Sequence, residues 1–123
     1  MNDYFVKGSL TCLKPEVIQQ RASKDFPLML NIEPTNACNA KCFYCPREET
    51  VAKVGTNYLK WDLYKKIIDE CALHGPLIMI NYHKDGESLI HKELPKMVAY
   101  AKEMKAAETL HFNTNGILLG KPI

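Results

Sequence analysis

The segment at residues 77–82 constrains the fold most, because it is short and apolar at every position except Asn81. A strand that is apolar on both sides is typical of a parallel sheet, whose connecting helices cover its faces. Such helices are predicted before and after the segment, where apolar side chains recur at helical spacing over residues 59–74 and 92–107. The sequence therefore predicts an α/β fold.

The order of strand, loop and helix recurs three times along the chain. Other apolar runs predict further strands at residues 27–33 and 109–113, and residues 116–120 have the pattern of a third helix that has just begun. A leading helix is predicted over residues 14–22, where Pro15 precedes good helix formers. Successive right-handed crossovers would place the three strands side by side, as three parallel βα units.

A chain of 123 residues, of which 46% are hydrophobic and 24% charged, has the size and composition of one globular domain. We divide it into a leading segment, residues 1–26, and an α/β unit, residues 27–123. The net charge of +2 and the lack of a basic run indicate no nucleic-acid partner. No apolar run approaches the ~20 residues of a membrane span, and the amino terminus lacks a signal peptide's layout, so we predict a cytoplasmic location.

Three of the five cysteines, Cys38, Cys42 and Cys45, lie just after the predicted first strand in the pattern C-x3-C-x2-C. Thiolates this close in sequence favour a soft metal or an iron-sulfur cluster over a disulfide framework. An ordinary ferredoxin cluster and a closed zinc site each take four protein ligands, so three cysteines leave one position unassigned. An open position implies chemistry at the metal.

Tyr44 precedes the last of these cysteines, and the whole motif resembles the cluster loop of radical S-adenosylmethionine enzymes. The resemblance implies that Cys38, Cys42 and Cys45 bind a 4Fe-4S cluster, whose fourth iron is chelated by the amino and carboxylate groups of S-adenosylmethionine. It also implies an activity. Reductive cleavage of S-adenosylmethionine gives a 5′-deoxyadenosyl radical, which abstracts hydrogen from a substrate that the sequence does not identify. No side chain is assigned a catalytic role.

A second motif, Asp-Gly-Glu-Ser at residues 85–88, follows the second predicted strand and is similar to the family's Gly-Gly-Glu-Pro, with Asp and Ser at the outer positions. Gly86 would allow close backbone approach to a ligand, and the carboxylate of Glu87 would bind the ammonium group of the cofactor. His83, at the end of the same strand, is a secondary candidate for contact with substrate or S-adenosylmethionine.

A third motif, Phe-Asn-Thr-Asn-Gly at residues 112–116, resembles the Thr-Asn-Gly that often follows the third strand in this family. The resemblance implies that Thr114 and Asn115 reach the ribose or carboxylate of S-adenosylmethionine. It also implies that Tyr44 lies near the adenine. The three motifs occur in the family's order and spacing.

The resemblance further implies a partial (β/α)6 barrel like that of TIM, of which this chain would form about half. We therefore expect an amino-terminal fragment of a longer oxidoreductase, with an exposed sheet edge that favours self-association. The implied partners are S-adenosylmethionine, an electron donor such as flavodoxin or ferredoxin, and a substrate that is a peptide or a small molecule.

Two non-catalytic alternatives stay open. A zinc-binding module would use the three clustered cysteines and a nearby histidine, and an electron-transfer cluster would take Cys12 or Cys71 as its fourth ligand. Cys71 lies on the apolar stripe of a predicted helix, which favours core packing, and Cys12 is interpreted as a small hydrophobe. Residues 47–57 are interpreted as a solvated loop, and Trp61 is predicted to pack on the barrel exterior.

Overall fold

The computed structural model describes residues 15–22 and 25–120, which form one three-stranded sheet with helices. In chain order the elements are α1 (Pro15–Arg21), β1 (Met29–Asn31), α2 (Arg47–Val54), α3 (Trp61–Leu73), β2 (Leu77–Asn81), a short 3-10 helix (Ser88–Ile90), α4 (Leu94–Glu103) and β3 (Ala107–His111). No described helix is long and apolar enough to cross a membrane.

The sheet has the order β1-β2-β3, and both neighbouring pairs are parallel. Its register aligns Leu30 with Ile80 and Ile80 with Leu110. The α/β class and the three parallel strands predicted from the sequence are therefore confirmed.

The core lies where α3 and α4 pack on the sheet. It joins Ile80 of β2 to Ile68 of α3 and Met97 of α4, all fully buried. The hydroxyl groups of Tyr64 and Tyr82 lie 2.8 Å apart inside this core, and the Tyr64 hydroxyl also donates to the carbonyl of Met97. Burial raises the pKa of Tyr64 far above its ordinary value and that of Tyr82 to about 12, so both phenols stay neutral.

A polar row crosses the other face of the sheet. Asn31, Asn81 and His111 are register partners, one residue beyond the apolar trio of the core, so their side chains point to the opposite face. The Asn81 amide group donates to Asn31 Oδ1 at 3.1 Å, and Asn81 Oδ1 lies 2.9 Å from His111 Nδ1. The row therefore links all three strands at their carboxyl ends.

The structure corrects the sequence prediction after the cysteine loop. Residues 47–54, interpreted as solvated loop, form helix α2. Glu48 and Glu49 occupy its first turn and Lys53 its last, which complements the helix dipole, and Gly55 ends it with a φ of 74°. The helix has no buried residue, so it lacks the apolar stripe on which the prediction of helices rested.

Other element boundaries also differ from the prediction. Strand β1 is shorter than residues 27–33, and α4 ends at Glu103 rather than near residue 107. Lys105 adopts a φ of 52°, which reverses the chain after α4, so β3 begins at residue 107 and ends before Phe112. Residues 116–120 form turns and not the start of a third helix.

Two packing predictions are confirmed. Cys71 is 1% exposed in the core. The Trp61 ring packs against Tyr64 and Tyr100 on the helical side of the sheet, with Lys96 Nζ 3.6 Å from its centre. Cys12, interpreted as a small hydrophobe, lies outside the described residues.

Candidate cofactor site at the cysteine loop

The cysteine loop begins at a buried segment, residues 34–37, just beyond β1. Thr35 fixes this segment with its hydroxyl group, which donates to the carbonyl of Asn57 at 2.7 Å and accepts from the amide of Ala37 at 3.0 Å. The amide of Leu59 donates to the carbonyl of Pro34 at 2.8 Å. The start of the loop is therefore bound to the segment that precedes α3.

Asn36 ties the same segment to the end of α2. Its amide group donates to the carbonyl of Gly55 at 2.8 Å, and its side-chain oxygen accepts from the amide of Asn57 at 2.7 Å. Arg47 Nε donates to the backbone carbonyl of Asn36 at 2.7 Å. Both ends of α2 are thereby held against Asn36, and the bond between Arg47 and Asn36 closes the loop that contains the three cysteines.

The three thiols line one concave surface of about 350 Å³, together with Lys41 and Arg47. Cys42 is exposed, and Cys38 and Cys45 are partly buried. A turn closed by the Cys45 amide and the Cys42 carbonyl, 3.1 Å apart, brings the last two cysteines together. In residues 15–22 and 25–120, no three His, Cys, Asp or Glu side chains are grouped so that they could hold a single metal ion.

Gly86 packs directly against the start of the cysteine loop. A Cβ atom at this position would lie 1.9 Å from the carbonyl oxygen of Thr35 and 2.9 Å from that of Ala37. The amide of Glu87 donates to the Ala37 carbonyl at 2.7 Å. The sequence predicted that a ligand would approach the backbone of Gly86 closely, whereas in the structure the backbone of Thr35 and Ala37 occupies this space. Contact of Gly86 with a ligand stays a prediction.

Glu87 is 3% exposed, and backbone amides satisfy both oxygens of its carboxylate. Oε1 accepts from the amide of Leu89 at 3.0 Å, and Oε2 accepts from the amide of Asn115 at 2.7 Å. The neighbouring Ser88, also buried, donates its hydroxyl proton to the carbonyl of Tyr82. Glu87 thus connects the second motif to the third, while its contact with an ammonium group stays a prediction.

Asn115 brings the third motif to the cysteines. Its amide group donates to Asn39 Oδ1 at 2.8 Å and lies 3.9 Å from the sulfur of Cys38. Thr114 is exposed, and its hydroxyl oxygen accepts from the amide of Gly116 at 3.1 Å. The structure therefore gathers Cys38, Glu87 and Asn115 at one end of the sheet, as the order of the motifs predicts.

Phe43 and Tyr44, at the tip of the cysteine loop, lie outside this group of residues. Tyr44 is 80% exposed and Phe43 is 99% exposed, and their rings meet edge to face at 5.8 Å. The structure places Tyr44 in solvent, and its contact with adenine stays a prediction. His83 is partly buried, and its Nδ1 atom has no hydrogen-bond partner among the described residues.

Comparison with known proteins shows which enzymes this chain is similar to. No family model matches the chain. It is 32% identical over 94 residues to the GTP 3′,8-cyclase of Chlorobaculum tepidum, a match that covers 76% of this chain and 27% of that enzyme. It is 31% identical over 100 residues to the Fe-coproporphyrin III synthase of Methanosarcina barkeri, which covers 80% of this chain and 24% of the relative.

The chain is similar to radical S-adenosylmethionine enzymes over about 75% of its length. It spans about a quarter of the length of these curated relatives. A solved structure of BtrN in complex with AdoMet and 2-DOIA is 29% identical, with a TM-score of 0.65 over 76% of this chain and 38% of that one. BtrN in an open conformation is also similar, at 26% identity and a TM-score of 0.65. The sheet and helices described above therefore match part of a radical S-adenosylmethionine barrel.

Sequence reasoning missed the residues that support the loop. Thr35, Asn36 and Arg47 carry no motif of their own, and their roles depend on partners 11 to 22 residues away along the chain. One signal was available, because Thr and Asn directly after a strand are typical of side chains that bond to nearby backbone. Asn39 has no such signal, since its partner Asn115 lies 76 residues away.

Proposed function

We propose that this chain is the amino-terminal part of a radical S-adenosylmethionine domain, formed by residues 27–123, which binds a 4Fe-4S cluster and S-adenosylmethionine. The observation that supports this proposal is that Cys38, Cys42 and Cys45 line one concave surface. This surface lies at the end of the sheet where the other two motifs also lie. When bound, these cofactors supply a 5′-deoxyadenosyl radical that abstracts hydrogen from the substrate.

The residues present fit a cluster bound by three thiolates. Each thiolate of a cluster binds a different iron atom, so its ligands stand further apart than those of a single ion. Three thiols that line one open surface are compatible with that requirement. Lys41, Arg47 and Glu48 line the same surface, and the net positive charge of these three side chains offsets part of the negative charge that thiolates and sulfides bring.

The protein's own part is to bind, position and shield. Thr35 and Asn36 hold the start of the loop in shape before any ligand arrives, which lowers the cost of ordering it. Gly86 and Glu87 join that segment to the end of β2 through backbone contacts. With the loop fixed on two sides, the three sulfurs face one surface, and S-adenosylmethionine would reach the cluster there.

For the substrate and the electron donor we propose only a broad chemical class. The relatives act on unlike molecules, as the names GTP 3′,8-cyclase and Fe-coproporphyrin III synthase show. We infer that the substrate is a peptide or a small molecule and that a flavodoxin or ferredoxin supplies the electron, which makes the whole protein an oxidoreductase. Self-association through the exposed edge of β3 is part of the same proposal.

Anaerobic reconstitution of the chain with iron and sulfide tests the proposal. We expect iron and sulfide to bind at about four atoms each per chain, and the electron paramagnetic resonance spectrum of the reduced cluster to change when S-adenosylmethionine is added. Replacing Cys42 by Ala should abolish iron binding, because two thiolates cannot hold the cluster. Cys71→Ala is the matched control, since Cys71 is buried in the core and should leave iron binding unchanged.

Three outcomes would contradict the proposal. Zinc retained without uptake of iron would support a zinc-binding module. A cluster whose spectrum does not respond to S-adenosylmethionine would support an electron-transfer module. Loss of the cluster in Cys71→Ala, with the chain still folded by circular dichroism, would give the fourth position to a protein side chain.

A further inference from the structure

We propose that Asn115 tunes the reduction potential of the cluster by donating a hydrogen bond to the sulfur of Cys38, and that Glu87 is the residue that positions Asn115 for this. The inference rests on the proposed function, because it needs a cluster bound through Cys38. It assigns to Asn115 a role at the cluster instead of the contact with S-adenosylmethionine that the family resemblance implies.

Cys38 differs from the other two cysteines in its surroundings. The backbone amide of Ala40 lies 3.5 Å from its sulfur, and the side-chain amide of Asn115 lies 3.9 Å from it. Within the part of the chain that the structure describes, the sulfurs of Cys42 and Cys45 receive no such donor. One sulfur of the three is therefore polarised by two N–H groups.

The position of Asn115 is set from two directions. Its backbone amide donates to the buried carboxylate of Glu87, and its side-chain oxygen accepts from the amide of Ile117 at 3.0 Å. These bonds hold the backbone and the oxygen end of the side chain, which leaves the NH2 group turned toward Cys38 and Asn39. Glu87 is anchored in turn through its own amide to Ala37, one residue before Cys38.

The chemistry of an N–H···S bond gives the direction of the effect. A donor withdraws electron density from a thiolate sulfur and stabilises the more negative, reduced form of a cluster more than the oxidised form, which raises the reduction potential. Removing the side-chain donor should therefore make the cluster harder to reduce, while the three thiolates continue to bind iron.

The experiment is a potentiometric titration of the reconstituted chain, monitored by electron paramagnetic resonance in the absence of S-adenosylmethionine. We expect Asn115→Ala to lower the equilibrium constant for one-electron reduction by up to about tenfold, which is about 59 mV. Asn115→Asp has nearly the same shape but places a carboxylate oxygen near the sulfur, so we expect a larger shift in the same direction. Both variants should keep the iron content of the unaltered chain.

Asn39→Ala is the matched control, because it removes the other acceptor of the Asn115 amide group and leaves the contact with Cys38. We expect its potential to stay close to that of the unaltered chain. Equal shifts in Asn39→Ala and Asn115→Ala would show that Asn115 acts only through the loop, and would overturn the proposal. Equal potentials in all four chains, or loss of iron in both Asn115 variants, would also overturn it.

The same measurement separates this inference from the proposed function. If the unaltered chain binds no iron, both fail. If it binds a cluster that responds to S-adenosylmethionine while the Asn115 variants keep its potential, the proposed function stands and the tuning role is wrong.

Discussion

Replacing Gly86 by Ala tests the packing between the second motif and the cysteine loop. The added Cβ would lie 1.9 Å from the Thr35 carbonyl oxygen, about 1.5 Å inside the 3.4 Å at which ordinary contacts begin. The obstacles are backbone atoms of residues 35 and 37, so no side-chain rotation can relieve the clash. One of the two backbone segments must move.

The expected loss of stability has two parts. Overpacking in a rigid place costs up to about 3 kcal/mol, and the bond from the Glu87 amide to the Ala37 carbonyl contributes about 1 kcal/mol if the segments part. A total of up to about 4 kcal/mol would lower the melting temperature by up to about 16 °C for a domain of this size. Iron uptake should fall as well, because the segment that moves leads directly into Cys38.

The assay is thermal unfolding followed by circular dichroism, with Gly75→Ala as the control. Gly75 has a φ of 90° and no atom within 4 Å of an added Cβ, so its replacement costs only backbone strain of about 1 kcal/mol. We expect Gly86→Ala to unfold well below Gly75→Ala. If both variants melt at the same temperature, or if Gly86→Ala is the more stable, the tight contact with Thr35 does not exist.

Two further predictions concern the buried tyrosine pair. Tyr64→Phe should lower the free energy of unfolding by about 2 kcal/mol in a urea titration, because it leaves the buried Tyr82 hydroxyl without Tyr64 as its partner and removes the bond to the Met97 carbonyl, whereas Tyr58→Phe at a half-exposed ring should change it little. Stability should also fall at alkaline pH. The pKa of Tyr82 is raised by burial from 10.0 to about 12, so its contribution is complete below pH 10 and is lost as the pH rises through 12. Unfolding measured across this range should be less steep in pH for Tyr82→Phe, and an equal slope would contradict the assignment.

The sequence predicted the elements that carry a periodic pattern. Residues 77–82 and the apolar stripe of α3 indicated their structure, because burial on the sheet demands those residue types at that spacing. Helix α2 escaped prediction because it has no buried face, and charges at its ends are a weaker signal than an apolar stripe. The start of β3 was placed two residues late, since Ala107 and Glu108 carry no strand preference and the reversal at Lys105 leaves no mark in the sequence.

The candidate site was predictable as a set of motifs and not as a set of contacts. The spacing of the cysteines and the order of the three motifs indicated which residues would meet at the carboxyl ends of the strands. Which atoms meet was decided by tertiary packing. Gly86 faces Thr35, and the carboxylate of Glu87 faces the backbone of Asn115, because the second and third motifs close over the first. No local pattern records a pairing over that distance.

The hydrogen-bonded side chains of Asn31, Asn81 and His111 favour one register of the three strands. Parallel strands made of similar aliphatic residues slide past one another at little cost, and a slip of one residue turns every side chain to the other face. Such a slip here would drive an asparagine into the space now filled by Ile80 and would break a hydrogen bond on each side. The polar row thus destabilises sheets with a shifted register, which an aliphatic core alone would tolerate. The cysteine loop therefore starts from a strand whose carboxyl end is fixed in register.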